Sequence, residues 1–359
     1  MPPNERFHEI DVLRFLAAAA VMLYHLAFRF WIEHASGYLA YPALAPFAKY
    51  GYLGVDLFFM VSGFVILLTA LGRGPRAFVV SRATRLLPTY WFALCVTFTF
   101  VLVWPWPIPD YQSVGVTDFL VNLTMFQEFL GFPNVDGVYW TLAVELRFYL
   151  LMFVVLLCSQ TKHIEWLLGG WIAACVLMDQ LPHPAWLQRV LIQDWAQYFV
   201  AGAICYLIRA RGMSLYRLAV FGVCWVHALR HGYWFGLLKQ HLTGVTFEPA
   251  VVFVTITAFF GVFLLIAARR IPDCFQRFAF LGTLTYPLYL LHTQIGKALL
   301  SVGYPHLPPV LLLAAVCALL LGLAAATHHW VERPFTPRLR AALLRALYGR
   351  VAHRAESAA

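Results

Sequence analysis

Apolar residues along this chain come in long runs divided by short polar segments. Ten runs lie near 10–31, 51–71, 87–104, 139–158, 164–179, 195–209, 215–230, 249–268, 280–300 and 309–331. About 20 apolar residues in a helix cross the hydrocarbon core of a bilayer. The pattern therefore predicts an all-α integral membrane protein, a bundle of about ten transmembrane helices, with the fifth to seventh spans the shortest. Neither an internal repeat nor a low-complexity linker divides the chain, so residues 1–335 are expected to form one membrane-embedded domain. Residues 336–359 follow as a basic tail. There Leu339, Leu343, Leu347 and Val351 share one helical face among arginines, the pattern of an amphipathic helix lying on the cytoplasmic lipid surface. The longest connection, 105–137, begins at the sequence WPWPIPD, which cannot be helical. A short surface helix is expected within 118–129.

Composition and charge sharpen this picture. Of the 359 residues 62% are hydrophobic and 12% charged, which excludes an ordinary soluble domain. The formal net charge of +9 would suggest nucleic acid in a soluble chain; here its distribution gives a different reading. With the N-terminus in the cytoplasm, the inner segments hold Arg6; Arg73, Arg76, Arg82 and Arg85; Lys162; Arg209, Arg211 and Arg217; Arg269, Arg270 and Arg277; and the tail at 333–354. The outer segments hold only Arg29, Lys49, Arg189, Arg230, Lys239 and Lys297. Basic residues concentrate on the cytoplasmic side, which predicts cytoplasmic termini, a lipid bilayer as surroundings and no nucleic-acid partner. The seven cysteines fall almost all within apolar runs without ligand spacing, so neither disulfides nor a metal site are expected. The first run is span-length, carries Asp11 and Arg14, and has no small-residue cleavage site after it, so it reads as a span, not as a removable signal.

Ionisable residues inside spans are costly and point to function. Arg14 and His25 are eleven residues apart, almost three helical turns, so they share a face about 16 Å apart. His25, Asp56, Glu145 and His292 all fall roughly 8–12 Å below the outer interface when counted along their spans. A neutral imidazole can accept a proton from an attacking hydroxyl, and a carboxylate on its other nitrogen would orient it. His25 is thus expected within a hydrogen bond or one water of Glu145 or Asp56. Blander readings stand beside this: Asp56 as a helix N-terminal charge satisfied by first-turn amides, Glu145 paired with Arg147 or Arg14, and His292 as a structural hydrogen-bonding residue. Arg82 and Arg85, at i and i+3 at a helix start, offer guanidinium forks for phosphate; plain topology is the alternative.

Several stretches together resemble the acyltransferase-3 family of integral membrane O-acyltransferases. They are Asp11-Val-Leu-Arg14 followed by His25, GYLGVDLFFMVSGFVI at 51–66, SRATRLLPTYW at 81–91, VYWTLAVELRFYLL at 138–151 and LTYPLYLLHTQIG at 284–296. The five occur in the family's order over nearly the whole chain. The resemblance implies that His25 is the catalytic base with Arg14 as its paired arginine. It implies that Arg82 and Arg85 meet acyl-CoA, with Arg14 and Asp11 beside the donor. It places Glu145 and Asp56 on the family's motif acids. Two departures occur: His8-Glu9-Ile10 replaces a basic-Gly pair before Asp11, and Ser81-Arg82 replaces a double arginine. The implied activity is transfer of an acyl group, acetyl foremost, from cytoplasmic acyl-CoA (acetyl-CoA) to a hydroxyl of a surface or lipid-linked glycan. The implied location is the bacterial inner membrane, and the implied type is the stand-alone one without a fused esterase-like domain. Tyr139, Trp140 and His292 are the expected acceptor contacts. Trp104, Trp106 and Tyr111 are further aromatics able to stack on sugars or to belong to an interfacial belt. A proton-coupled transporter would use the same intramembrane charges, but the inverted repeats it would show are not seen in the sequence. A membrane scaffold would leave His25, Asp56 and Glu145 unexplained.

Overall fold

The computed structural model describes residues 7–33, 40–104, 114–270, 273–304 and 306–348, and every regular element among them is helical. Each of the ten apolar runs carries a helix: α1 (His8–Leu23), α2 (Gly54–Ala70), α3 (Pro75–Val103), α4 (Trp140–Leu157), α5 (Ile164–Met178), α6 (Ala196–Arg211), α7 (Leu215–Thr243), α8 (Pro249–Ala267), α9 (Leu281–Gly303) and α10 (Pro309–Thr327). A further helix, α11 (Arg333–Tyr348), follows. Among the described residues six helical stretches are long and apolar enough to cross a membrane: His8–Ile32, Ala45–Ala70, Pro75–Val103, Gly137–Leu157, Pro249–Ala267 and Pro309–Tyr348. The chain is a multi-pass integral membrane protein.

The other four runs differ from these six for two physical reasons. Helices α5 and α6 have 15 and 16 residues, about 22–24 Å at 1.5 Å per residue, short of a ~30 Å core. Helices α7 and α9 are long, 29 and 23 residues, but polar. The sequence reading ended α7 at 230; it runs on to Thr243. Helix α9 is enclosed by protein, and every residue from 288 to 298 is buried. Polar side chains that lipid would reject are tolerated there.

Close backbone crossings set the arrangement. Helices α2 and α6 touch where Gly63 meets Gly202: a Cβ on Gly63 would lie 2.0 Å from the Phe199 carbonyl oxygen, and one on Gly202 1.9 Å from that of Met60. Helix α1 crosses the start of α2 just as closely, since a Cβ on Gly54 would come within 2.6 Å of the Ala17 oxygen. The glycines of the 51–66 motif are thus contact points.

Three helices depart from the regularity expected. Helix α1 continues through a π-helical segment, Tyr24–Arg29, into Phe30–Glu33, and His25 lies in that segment. Such bulges break the α-helical phase and are frequent at functional sites. Helix α2 continues from Ala45–Ala48 through the tight turns of Lys49–Leu53. Asp56 therefore stands in the first turn of α2 without a free helix start before it. Helix α3 begins at Pro75 rather than near 87, so Arg82 and Arg85 stand inside a 29-residue helix and Pro88 is interior.

The described part of the longest connection folds as two short helices, Val116–Asn122 and Gln127–Leu130, broken near Met125, whose φ is 62°. Buried Asn122 donates to the Asp118 and Pro133 carbonyls and accepts from the Val135 amide. The Tyr90 hydroxyl and Trp91 indole of α3 donate to the carbonyls of Asn122 and Leu123. Side chain and backbone together fix this segment over the bundle. At the other end α10 runs through a second π segment, His328–Glu332, into α11, which packs on α3 with the Arg76 guanidinium 5.9 Å from the Tyr348 ring. The helix is unbroken at 335–336.

Candidate active site

Among the described residues, two cavities gather the polar groups of the bundle. The first, about 70 Å³, is lined by Arg14 of α1, Arg82 and Arg85 of α3, and Glu145 and Tyr149 of α4. Ser62 of α2 and Tyr286 of α9 complete its polar wall. Glu145 accepts hydrogen bonds from the Ser62 hydroxyl and, at 2.7 Å, from the Tyr149 hydroxyl. The Arg82 guanidinium stands 5.9 Å from the Tyr149 ring and donates to the Ser81 hydroxyl at 3.0 Å. Arg82 is buried, and its Nε has no hydrogen-bond partner. Three guanidinium groups face one carboxylate in this lining, an excess of positive charge that suits a polyanion.

The second cavity, about 500 Å³, is lined by His25 and Arg29 from the π segment, Asp56 of α2, Lys239 of α7, and Thr293, Gln294 and Lys297 of α9. Asn134 and Val135 of the loop segment, with Trp140 and Trp195, form the rest of its wall. The two indole rings lie 5.0 Å apart. The Lys239 ammonium sits over the rings of Tyr24, Tyr52 and Phe235 at 5.0–5.7 Å, within cation–π range. Asp56 has the Tyr198 hydroxyl and Lys239 as its polar neighbours.

The structure separates groups that their shared depth had brought together. His25 and Asp56 line the same cavity, whereas Glu145 faces the arginines. The His25 Nδ1 is sealed from solvent and has no hydrogen-bond partner, so no carboxylate holds the ring through that nitrogen. The match rested on counting along the helix axes, but Glu145 lines the arginine cavity and not the one that holds His25. Arg147 is not the partner of Glu145 either; it pairs with Glu128 at 3.4 Å. His292 lies behind His25, ring centres 5.3 Å apart. Its Nδ1 faces the carbonyls of Tyr289 (2.8 Å) and Leu288 (3.2 Å), which assigns the proton to Nδ1. The Thr293 hydroxyl then donates to Nε2 at 3.1 Å. A buried histidine so satisfied does not present itself to an acceptor.

Other expected contacts are placed differently as well. Asp11 lines neither cavity; its carboxylate lies at the start of α9, where a Cβ on Gly282 would come 2.5 Å from Oδ1. A carboxylate there faces the positive end of the helix dipole. Tyr139 is fully buried with its ring centre 5.3 Å from that of Tyr90, so it cannot stack on a sugar. Trp104 stacks on Phe100 at 4.8 Å. Trp106 and Tyr111 lie outside the described residues, and Trp140 alone of the expected aromatics lines the larger cavity. Sequence reasoning missed Arg29, Lys239 and Lys297, which it counted as scattered outer charges. A signal existed for two of them: Arg29 is four residues after His25, and Lys297 stands inside an apolar run. Asn134 and Trp195 carried no signal, because a loop residue and a helix-end aromatic are unremarkable until the chain folds.

Comparison with known proteins gives a consistent result. A family model described as an acyltransferase domain matches residues 7–329. The exopolysaccharide production protein ExoZ of Rhizobium meliloti is 28% identical over 317 residues, covering 84% of this chain and 95% of that protein. The peptidoglycan O-acetyltransferase OatA of Listeria monocytogenes is 30% identical over 159 residues, 40% of this chain and 23% of OatA. The O-acetyltransferase OatA of Staphylococcus aureus is 28% identical over 162 residues, 41% of this chain and 24% of that protein. No solved structure matches the chain.

Proposed function

Because the chain belongs to the acyltransferase-3 family, and is an O-acyltransferase of the membrane, we propose that it moves an acyl group, acetyl foremost, from cytoplasmic acyl-CoA to a hydroxyl of a surface or lipid-linked glycan. The observation that carries this reading is the pair of cavities of complementary chemistry separated by a common wall: Val55 and Tyr289 line both. The arginine cavity belongs to the donor and the histidine cavity to the acceptor.

Both termini lie in the cytoplasm in this reading, with the bundle in a bacterial inner membrane and the arginine-rich side facing in, as the distribution of basic residues favours. The donor's phosphates meet Arg82 and Arg85. Its pantetheine arm runs past Arg14 toward His25, over the roughly 16 Å that separates residues eleven apart on a helix. The acceptor enters the larger cavity. Trp140 and Trp195 offer faces to sugar rings, and Asn134, Gln294, Thr293 and Asp56 offer donors and acceptors to hydroxyls. With its Nδ1 sealed away, His25 meets the acceptor through Nε2 and takes the hydroxyl proton. The hydroxyl oxygen attacks the thioester carbonyl, the C–S bond breaks, and the proton passes from the imidazolium to the departing thiolate. The products are the ester and free CoA. An acyl-histidine route would use the same nitrogen.

Family membership argues for this chemistry over the proton-coupled carrier that shares its intramembrane charges. The test is transfer of radiolabelled acetyl groups from acetyl-CoA by purified, reconstituted protein, together with mass spectrometry of surface glycans from cells with and without it. Label in glycan and release of CoA are expected. Unconsumed acetyl-CoA and unchanged acetyl content would refute the proposal.

A further inference from the structure

The wall between the two cavities has a chemistry of its own. Among the described residues, Val55 of α2 and Tyr289 of α9 are the side chains that line both rooms. Tyr289 is held at both ends. Its hydroxyl lies 2.7 Å from the Thr141 hydroxyl and 3.3 Å from the Val138 carbonyl. Thr141 itself donates to Val138 at 3.0 Å, so the tyrosine hydroxyl, with one proton to give, donates to Thr141 and is anchored at the start of α4. Its ring stands edge-on to Phe58 with centres 5.4 Å apart, and its backbone carbonyl accepts from His292. On the opposite side Val55 follows Gly54, where α1 and α2 cross too closely for a side chain; an added Cβ would sit 3.0 Å from Val21 Cγ2. One side of the rim is set by hydrogen bonds and the other by a backbone crossing. The two side chains shared by the cavities are therefore held in place from both sides.

Resting on the proposed donor path, we propose that Val55 and Tyr289, with Thr141 holding the tyrosine, frame an opening between the two cavities and select the acyl group by its width. The acyl end leads the donor from the arginine cavity into the histidine cavity, and the unbranched β-alanyl-cysteamine end of the pantetheine follows, its dimethyl-bearing carbon staying on the phosphate side. An opening that admits a single unbranched chain passes a linear acyl group as readily as the arm behind it. It rejects one branched at the carbon next to the carbonyl. The filter therefore distinguishes isomers of equal carbon count and equal apolar surface, which burial alone separates poorly.

The experiment compares acetyl-, n-butyryl- and isobutyryl-CoA as donors with one acceptor, in wild-type protein and in Val55→Ala, Tyr289→Ala and Tyr289→Phe. Wild type is expected to use n-butyryl over isobutyryl by about tenfold or more in kcat/KM, at or above the lower end for a steric difference of this size. Tyr289→Ala and Val55→Ala should bring the ratio down to a few-fold. Tyr289→Phe keeps the ring and loses the tether to Thr141, so its ratio should fall between. If Tyr289→Ala does not fold, Val55→Ala, a smaller truncation on the other side of the rim, carries the test. Acetyl transfer by wild type with an n-butyryl to isobutyryl ratio near one, or a ratio that neither truncation changes, overturns the aperture and leaves the acyltransferase reading standing. Absence of acetyl transfer from acetyl-CoA by wild type overturns the donor reading and the aperture with it.

Discussion

The two cavities are built on opposite principles. In the arginine cavity the charged groups hold one another: Glu145 is fixed by Ser62 and Tyr149, Arg82 stands against the Tyr149 ring, and about 70 Å³ is left between them. At about 10–15 Å³ per probe-sized water, that is room for a handful of solvent molecules. The histidine cavity is about 500 Å³, within the usual range for small-molecule sites, and His25 stands in its wall with no hydrogen bond at Nδ1. A crowded cluster with an arginine Nε still to be satisfied is suited to gripping a polyanion at one position. A roomy chamber with an unpaired imidazole is suited to receiving a variable polyhydroxylated partner and doing chemistry on it. The contrast teaches that the residues of one mechanism need not share one pocket. In the proposed reading, binding energy and reactivity lie on either side of a shared wall.

The sharpest way to break that division is to remove the histidine. His25→Ala should lower acyl transfer by about 10²–10⁴-fold, the usual contribution of a general base, and leave calorimetric CoA binding nearly intact. Loss of CoA affinity in this variant would put the histidine in the donor room. Arg85→Ala should do the reverse. Losing one charge-assisted contact to phosphate costs about 1.5–3 kcal/mol, roughly ten- to a hundredfold in CoA affinity by the same titration. Normal CoA binding would reduce the arginines of α3 to topology signals.

A subtler test concerns Glu145. Glu145→Gln keeps an oxygen for Tyr149 or Ser62 to donate to and removes the negative charge facing three arginines. Donor KM should change by a few-fold, a rough expectation for one charge in a partly screened cluster. The pH midpoint of transfer should stay where wild type has it. A midpoint displaced by about one unit or more would mean that Glu145 acts on His25 after all and that the two rooms titrate as one.

The smallest effect lies at the edge of the histidine cavity. Burial pushes the Asp136 carboxyl up to about 6, against the opposing pull of the Val138 and Gln294 backbone and of Lys297. An unfolded aspartate titrates near 3.9. Between those values the folded chain binds the proton more tightly. Stability should therefore fall as pH rises from about 4 through 6 and be flat above, by about 2–3 kcal/mol in all. Thermal unfolding in detergent at several pH values should show that decline in wild type and a flatter profile in Asp136→Asn. Parallel profiles would assign the slope to other groups.

The chain alone determined that each apolar run forms a helix and that the protein is a multi-pass membrane protein, but not that six rather than ten of the helical stretches are long and apolar enough to span. Those properties are local: a run of 20 apolar residues reads the same whatever packs against it, and the glycines, arginines and acids of the five motifs are written in order. Tertiary structure decided which of these groups meet. Counting residues along a span yields depth, one coordinate of three, and depth alone set Glu145 beside His25. The direction each side chain takes depends on helix rotation, fixed by crossings such as Gly63 on Gly202 and by the π segment that carries His25. Neither is encoded in hydrophobic periodicity. The same holds for α9, polar because protein rather than lipid surrounds it, and for the assembly of His25, Asn134, Lys239 and Lys297 into one wall. Residues that far apart in sequence become neighbours only when the helices between them have packed, because it is the packing, not the chain, that places them around one volume.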